Sequence, residues 1–255
     1  VLVASWNVNS IRARLERALA WLDRIQPDVV CMQETKVIND QFPLQAFTSK
    51  GYEAVTWGQK TYNGVAILSR TRPQDVQRGF GDTSDEEARL LGASIDGVRV
   101  YSCYVPNGKV IGTPAAEEKL LWLDRLGQLL ATHSASERVV ACGDFNIAWD
   151  DRDVHDPAFW RTQVLYHPSM QKALHGFAES AHLVDTFRLH HDEAQRYSWW
   201  DYRMLGFPKN RGLRIDYIFA SRILAEACSD AFIDREERKG KSPSDHAPVL
   251  AQFDL

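Results

Sequence analysis

The chain has no paired cysteines. Its four, Cys31, Cys103, Cys142 and Cys228, form no CxxC pair, which excludes the usual spacing of a structural zinc site. Three of them sit in the apolar runs VVCMQE, VYSCYV and VVACGD and read as reduced core thiols of an intracellular protein. Long hydrophobic runs are also missing. No stretch approaches the ~20 apolar residues of a membrane helix. The opening VLVASW is too short for a secretory core, with no charged segment before it. A cytoplasmic, intracellular location without membrane attachment is therefore expected. No low-complexity tract and no Pro/Gly/Ser linker divides the chain, and the polar ATHSASE, residues 131–137, reads as a short loop. One domain spanning residues 1–255 is expected. Nor is there an excess of positive charge. Thirty Lys and Arg against 34 Asp and Glu leave a formal charge of −4, which argues mildly against a general nucleic-acid binder. A set of metal-binding acids would mask a locally basic surface. Basic residues do gather in IRARLER, FPKNRGLR and DREERKGK.

What the chain does have is a succession of short apolar runs. Strands are expected at Leu2–Trp6, Val29–Met32, Ala54–Trp57, Val65–Ser69, Leu91–Ile95, Val98–Tyr104, Val139–Cys142, Tyr217–Ala220 and Val249–Phe253. Helical spacing appears in Arg14–Ile25, where Leu15, Ala18, Leu19, Leu22 and Ile25 share a face. It recurs in AEEKLLWLDRLGQLLA and in SMQKALHGFAESA, where Ser169 is the expected N-cap. Interleaved strands and helices of this kind suggest an α/β fold of packed sheets covered by helices.

The same polar residue types recur where these runs stop. LVASWN ends in Asn7 and VVCMQE in Glu34; YSCYVPN supplies Tyr104 and Asn107. VVACGDFN supplies Asp144 and Asn146, and LRIDYIFAS opens with Asp216. In KSPSDHAPVLAQF, Asp245 and His246 stand between two prolines that stiffen the lead into the last strand. Taken singly, each fits ordinary turn chemistry. Taken together, the acids resist explanation as packing, because ionised groups near a core cost several kcal/mol unless paired or bound to a cation. Glu34, Asp144 and Asp245 are hard oxygen donors that suit Mg²⁺ or Mn²⁺. Mg²⁺ takes few protein carboxylates and leaves room for a substrate phosphate. Phosphoester hydrolysis needs a base for water, donors for the phosphate and a cation to offset developing charge. His246 oriented by Asp216, with Asn7, Asn107, Asn146 and Tyr104 as donors, fits those needs.

In SWNVNSIRAR, QPDVVCMQETK, YNGVAILSR, YVPNG, GDFNIA, YSWWDYR, NRGLRIDYIFAS and SDHAPV, the chain resembles the exonuclease III family of apurinic/apyrimidinic (AP) endonucleases. That family lies within the endonuclease/exonuclease/phosphatase superfamily. The motifs keep the family's order from Ser5 to Val249. The resemblance implies a DNase I-like four-layered α/β sandwich, two packed mixed sheets flanked by helices. It implies Glu34 as principal metal ligand, with Asn7 nearby and Asp245 at a second or alternative metal position. It implies Asp144, beside Asn146, as the group that positions or deprotonates water. Asp216 and His246 become the pair at the scissile phosphate, with Tyr104 and Asn107 as phosphate contacts and Lys36 as support for Glu34. Whether Asp144 or His246 is the general base stays open at this stage.

The implied activity is Mg²⁺-dependent hydrolysis of the phosphodiester 5′ to abasic sites, with Mn²⁺ able to substitute. Exonuclease and phosphatase or phosphodiesterase action at 3′ ends would accompany it, on double-stranded DNA and by a monomer. Trp199 and Trp200 of YSWWDYR match an aromatic wall for a flipped-out baseless sugar. Arg203, Lys209, Arg211 and Arg214 follow closely as candidate phosphate contacts. Trp149 stands where many relatives carry proline, and the loop NGKVIGTPAAEEK varies among them. The competing readings are a phosphoesterase acting on a non-DNA substrate and a non-catalytic nucleic-acid-binding relative.

Overall fold

The computed structural model describes residues 1–81 and 87–255. Strands and helices are numbered here in chain order. One six-stranded sheet has the order β13 (Cys228–Ile233), β14 (Val249–Phe253), β1 (Leu2–Asn7), β2 (Val29–Gln33), β4 (Val65–Ser69) and β3 (Glu53–Trp57). The other has the order β5 (Gln74–Arg78), β6 (Leu90–Ile95), β7 (Val98–Tyr104), β8 (Val139–Asp144), β12 (Asp216–Ser221) and β9 (Leu183–Asp185). A small ribbon pairs β10 (Trp199–Trp200) with β11 (Gly212–Leu213). Each large sheet is mixed, with one parallel pair: β1 with β2, and β7 with β8.

The layering follows from alternation along the strands. Val29 and Cys31 of β2 face the inter-sheet core, together with Val140 and Cys142 of β8. Val30 and Met32 point the other way, against Ala18, Trp21 and Leu22 of α1 (Ile11–Ile25) and Phe47 of α2 (Leu44–Thr48). Val139 and Ala141 of β8 point outward to a third core. It contains Leu123, Leu126 and Leu130 of α3 (Pro114–Ser134) and, beyond the short α4 (Pro157–Trp160), Leu174 and Phe177 of α5 (Pro168–Ser180). Central strands are thus buried on both faces and read as unbroken apolar runs. The result is helix, sheet, sheet, helix, with three apolar seams. The cysteines are free.

All nine expected strands form. The strands not anticipated are β5 and β13 at sheet edges, the three-residue β9 and the two-residue β10 and β11. Residues Gln74–Arg78 are mostly exposed and polar, as edge strands tend to be, so no periodicity marks them. Two helix boundaries correct the sequence reading. Pro168 takes the first position of α5, and His167, not Ser169, is its cap, accepting from the Ser169 amide. The 131–137 segment is not all loop: α3 continues to Ser134, whose hydroxyl donates to the Ala181 carbonyl.

Register delivers polar residues to one edge. Tyr104 is opposite Asp144 across β7 and β8, and Asp144 is opposite Asp216 across β8 and β12. On the other sheet Asn7 ends β1 beside Gln33, one residue before Glu34. Gly143 is required by this closeness, because a side chain there would meet the Cys103 carbonyl oxygen at 1.8 Å.

Candidate active site and metal centre

Glu34 leaves β2 in the left-handed region, φ 51°, and its carbonyl accepts from the Ser10 amide at 2.8 Å. This strained turn aims the carboxylate across the sheet edge. Its Oε1 accepts from Asn7 Nδ2 at 2.9 Å, and Oε2 pairs with Lys36 Nζ at 2.8 Å. Burial pushes Glu34 up, but Lys36 and Asn7 outweigh it and hold the carboxyl below its ordinary value.

Asp144 is 1% exposed. Its Oδ1 accepts from the Asn146 amide at 2.9 Å, and Oδ2 from Asn7 Nδ2 at 3.0 Å. Burial, with Asp216 and Glu34 adding to it and His246 opposing, raises this carboxyl to about 7. His246, 4% exposed, places Nδ1 2.9 Å from Asp216 Oδ2 and Nε2 3.6 Å from Asp144 Oδ2. Burial lowers its pKa, yet Asp216 and Asp144 together raise it to about 10. The neighbouring acids thus favour the protonated ring, with Nδ1 on Asp216. Ser198 Oγ donates to Asp216 Oδ2 at 2.6 Å while accepting from the Ile215 and Asp216 amides at 3.1 Å each. The histidine's partner is thereby fixed.

Asp245 accepts from Asn9 Nδ2 at 2.9 Å and Trp199 Nε1 at 3.1 Å. Burial raises its pKa, but His246, Asn9 and Trp199 bring it below the ordinary value. Lys36 Nζ donates to Asn9 Oδ1 at 2.6 Å, so Asn9 and Lys36 join the two outer carboxylates in one chain of hydrogen bonds. Burial of the Tyr104 hydroxyl, then the charges of Glu34 and Asp144, push its pKa well up. Asn107 Nδ2 donates to Asn146 Oδ1 at 3.1 Å.

Among the described residues, Glu34, Asp144 and His246 offer three ligand-type atoms within 4.8 Å of one another. The two hard carboxylates, with no sulfur beside them, suit a magnesium-like or manganese-like cation, while the imidazole is turned to Asp216 and Asp144. Asp245 stands outside this triad. Asn7 presents its NH₂ to Glu34 and Asp144 while its Oδ1 accepts from the Asn9 amide. In this arrangement the Asn7 amide group orients the two acids.

The substrate-side expectations separate. Trp199 is half-buried and lines an open groove of about 900 Å³ with Phe159, Trp160, Met204, Arg203 and Arg211. Trp200 does not line it. Neighbours on a strand face opposite ways, and Trp200 is 0% exposed, its Nε1 on Asn210. Arg214 is also corrected: it is enclosed, with Nε 2.7 Å from Asp153 Oδ1 and Nη1 2.7 Å from Asp185 Oδ2. It holds no exposed phosphate position. Arg203 is exposed and paired with Asp201 at 2.8 Å.

Three supporting residues escaped the sequence reading. Asn9 is two positions from Asn7 in NVNS, and Ser198 precedes the tryptophan pair. Lys119 lies fully buried on the apolar stripe of α3 with Ala116, Leu123 and Leu126. A lysine on such a stripe is the signal that was available. Its Nζ donates to the carbonyls of Asn107 at 2.9 Å and Asn146 at 2.7 Å, and burial lowers its pKa to about 7.

Residues 4–246 match the model of the Endonuclease/Exonuclease/phosphatase family. The chain is 34% identical to the exodeoxyribonuclease III of Haemophilus influenzae, covering 98% of each. An AP endonuclease structure from Archaeoglobus fulgidus superposes with a TM-score of 0.96 at 39% identity, covering 100% of both chains. A 3′ phosphatase from Neisseria, solved with a product DNA hairpin, superposes with a TM-score of 0.96 at 37% identity, covering 100% of this chain and 99% of that one.

Proposed function

Because this chain belongs to the endonuclease/exonuclease/phosphatase family, we propose that it is a metal-dependent DNA-repair nuclease. It cuts the phosphodiester 5′ to abasic sites in duplex DNA and processes 3′ ends. One observation carries this reading. Asn7, Glu34, Tyr104, Asp144, Asp216 and His246 come from separate strand ends of both sheets and meet at one edge, where, among the described residues, Lys36 is the one Lys or Arg in a salt bridge to these acids.

Glu34 would hold a divalent cation, Mg²⁺ by donor chemistry, with Asp144 and His246 facing the same space. When bound, the cation would offset charge developing on the phosphate. The residues divide the remaining work. Asp144, raised toward neutrality, is suited to accept the proton of the attacking water. His246, held cationic by Asp216, donates to the phosphate oxygen instead of acting as base. Tyr104, Asn107 and Asn146 supply neutral donors at the same phosphate. Trp199, tied to Asp245, forms an apolar wall where a sugar without its base would rest.

The test is a labelled duplex with one stable abasic analogue at mid-strand, incubated with Mg²⁺. One cut 5′ to the lesion is expected, absent with EDTA and absent with Asp144→Asn. A ladder from the 3′ end alone would reassign the main activity to the exonuclease. No cut with Mg²⁺ or Mn²⁺ would overturn the DNA-repair reading and favour another phosphoester.

A further inference from the structure

Two basic segments remain without a role, IRARLER on α1 and DREERKGK before the last strand. Three of their arginines, Arg14, Arg17 and Arg238, are occupied internally, while Arg12 and Arg235 are exposed. Arg14 Nη1 donates to the Asn9 carbonyl at 2.6 Å, and Nη2 to the Pro243 carbonyl at 3.1 Å. Arg17 donates to the carbonyls of Glu237 at 3.1 Å, Lys239 at 2.7 Å and Lys241 at 3.1 Å. Arg238 donates to the Ser244 carbonyl at 2.7 Å and the Trp200 carbonyl at 3.2 Å.

Arg238 is buried among the rings of Phe207, Tyr202 and Trp200, with centroids 5.1, 5.4 and 5.8 Å from its guanidinium carbon. Among the described residues, no ion pair joins Arg14 or Arg238 to an acid. Enclosing a cation without an acid is costly, and an apolar side chain would fill the same space more cheaply. What an apolar side chain lacks is a rigid fork of donors that fixes several carbonyls at once. The carbonyls fixed here, of Pro243 and Ser244, immediately precede Asp245 and His246. The same stretch is bonded on its other side by Ser244 Oγ to the Asn7 carbonyl at 2.7 Å, and by the Trp200 amide to the Asp245 carbonyl at 3.0 Å.

We propose that Arg14, Arg17 and Arg238 form a latch that sets the segment carrying Asp245 and His246 against Asn7 and Glu34, and that these arginines are positioning residues, not phosphate contacts. The proposal rests on the role given above to His246. Through the latch, the angle of α1 and the position of the imidazole become one mechanical unit.

Arg14→Ala, Arg238→Gln and His246→Asn test it. Cleavage of the abasic duplex gives kcat and KM; binding in EDTA across a salt series gives the slope of log affinity against log salt. The latch predicts kcat lower by roughly tenfold or more in both arginine variants, the scale of a lost charged hydrogen bond. The salt slope should match the wild type, because no phosphate contact is lost, and kcat should fall by more than KM rises. Millimolar guanidinium should restore part of the Arg14→Ala rate. A slope reduced by about 0.9 per arginine, with KM raised and kcat kept, would mean direct phosphate contact and overturn the latch. An unchanged kcat in folded protein would overturn it as well. If Arg238→Gln fails to fold, Arg14→Ala decides alone. His246→Asn separates the two levels: full activity there would sink the site assignment itself, whereas an inactive His246→Asn beside an Arg14→Ala defective only in binding would sink the latch alone.

Discussion

Two groups of buried acids lie close together in this molecule and are compensated in opposite ways. Asp153 and Asp185 surround Arg214, with Arg188 also on Asp153. Asp144 and Asp216 surround His246. Burial raises Asp185 and Asp144 alike. The first group has a permanent cation in a bidentate grip, so its charge is settled when the chain folds. The second has a titratable ring, amides and the Ser198 hydroxyl, so its charge can change during a reaction. Burial of an acid says little about function. Whether its counter-charge is permanent says a great deal.

The largest expected effect breaks this contrast at the site. Asp144→Asn should lower cleavage by about 10²–10⁴-fold, the range for loss of a general base. The urea midpoint should not fall, since a poorly compensated buried charge is removed. A large drop in that midpoint would mean that Asp144 belongs with the structural acids.

Next, Arg214→Met should destabilise the fold by about 3–5 kcal/mol, the range for breaking a buried ion cluster on one side, as read by urea unfolding. Turnover per folded molecule should stay near wild type. Lost turnover with intact stability would return Arg214 to the substrate side.

A pH series sharpens the comparison. His246 is raised from 6.5 to about 10 in the fold. Its stabilising contribution is therefore complete below about 6.5 and fades as pH rises toward 10. The gap in urea midpoint between wild type and His246→Asn should shrink over that window. A gap that widens would mean the ring is buried neutral. The smallest effect should come from Arg203→Ala. Arg203 is exposed and merely paired with Asp201, so the urea midpoint should stay in place, and a shift would reveal packing not evident here.

Much of the fold was legible because central strands are buried on both faces. Runs such as Val65–Ser69 leave no other reading. Edge strand Gln74–Arg78 was illegible because it pairs with a strand on one side only and its side chains mostly meet water. The acids at strand ends were legible by repetition, and register then brought Tyr104, Asp144 and Asp216 into one row. Trp200 and Arg214 were misplaced for physical reasons. A one-residue step along a strand turns Trp200 from groove to core, and Arg214 is drawn inward by Asp153 and Asp185, acids distant in the sequence. Ser198 and Asn9 act through hydrogen bonds to other site residues, a relation that only coordinates display.

The pairing of β14 with β1 has a consequence for how the protein comes into being. Asn7, Glu34 and Asp144 leave the ribosome well before Asp216 and His246 do, and the histidine is seated only when β14 inserts between β1 and β13. Contacts spanning more than 200 residues, such as Ser244 to Asn7, form slowly and late. A nascent chain would therefore carry most of the acids of a nuclease without the power to cut, and that power would arrive in a single step when the sheet closes.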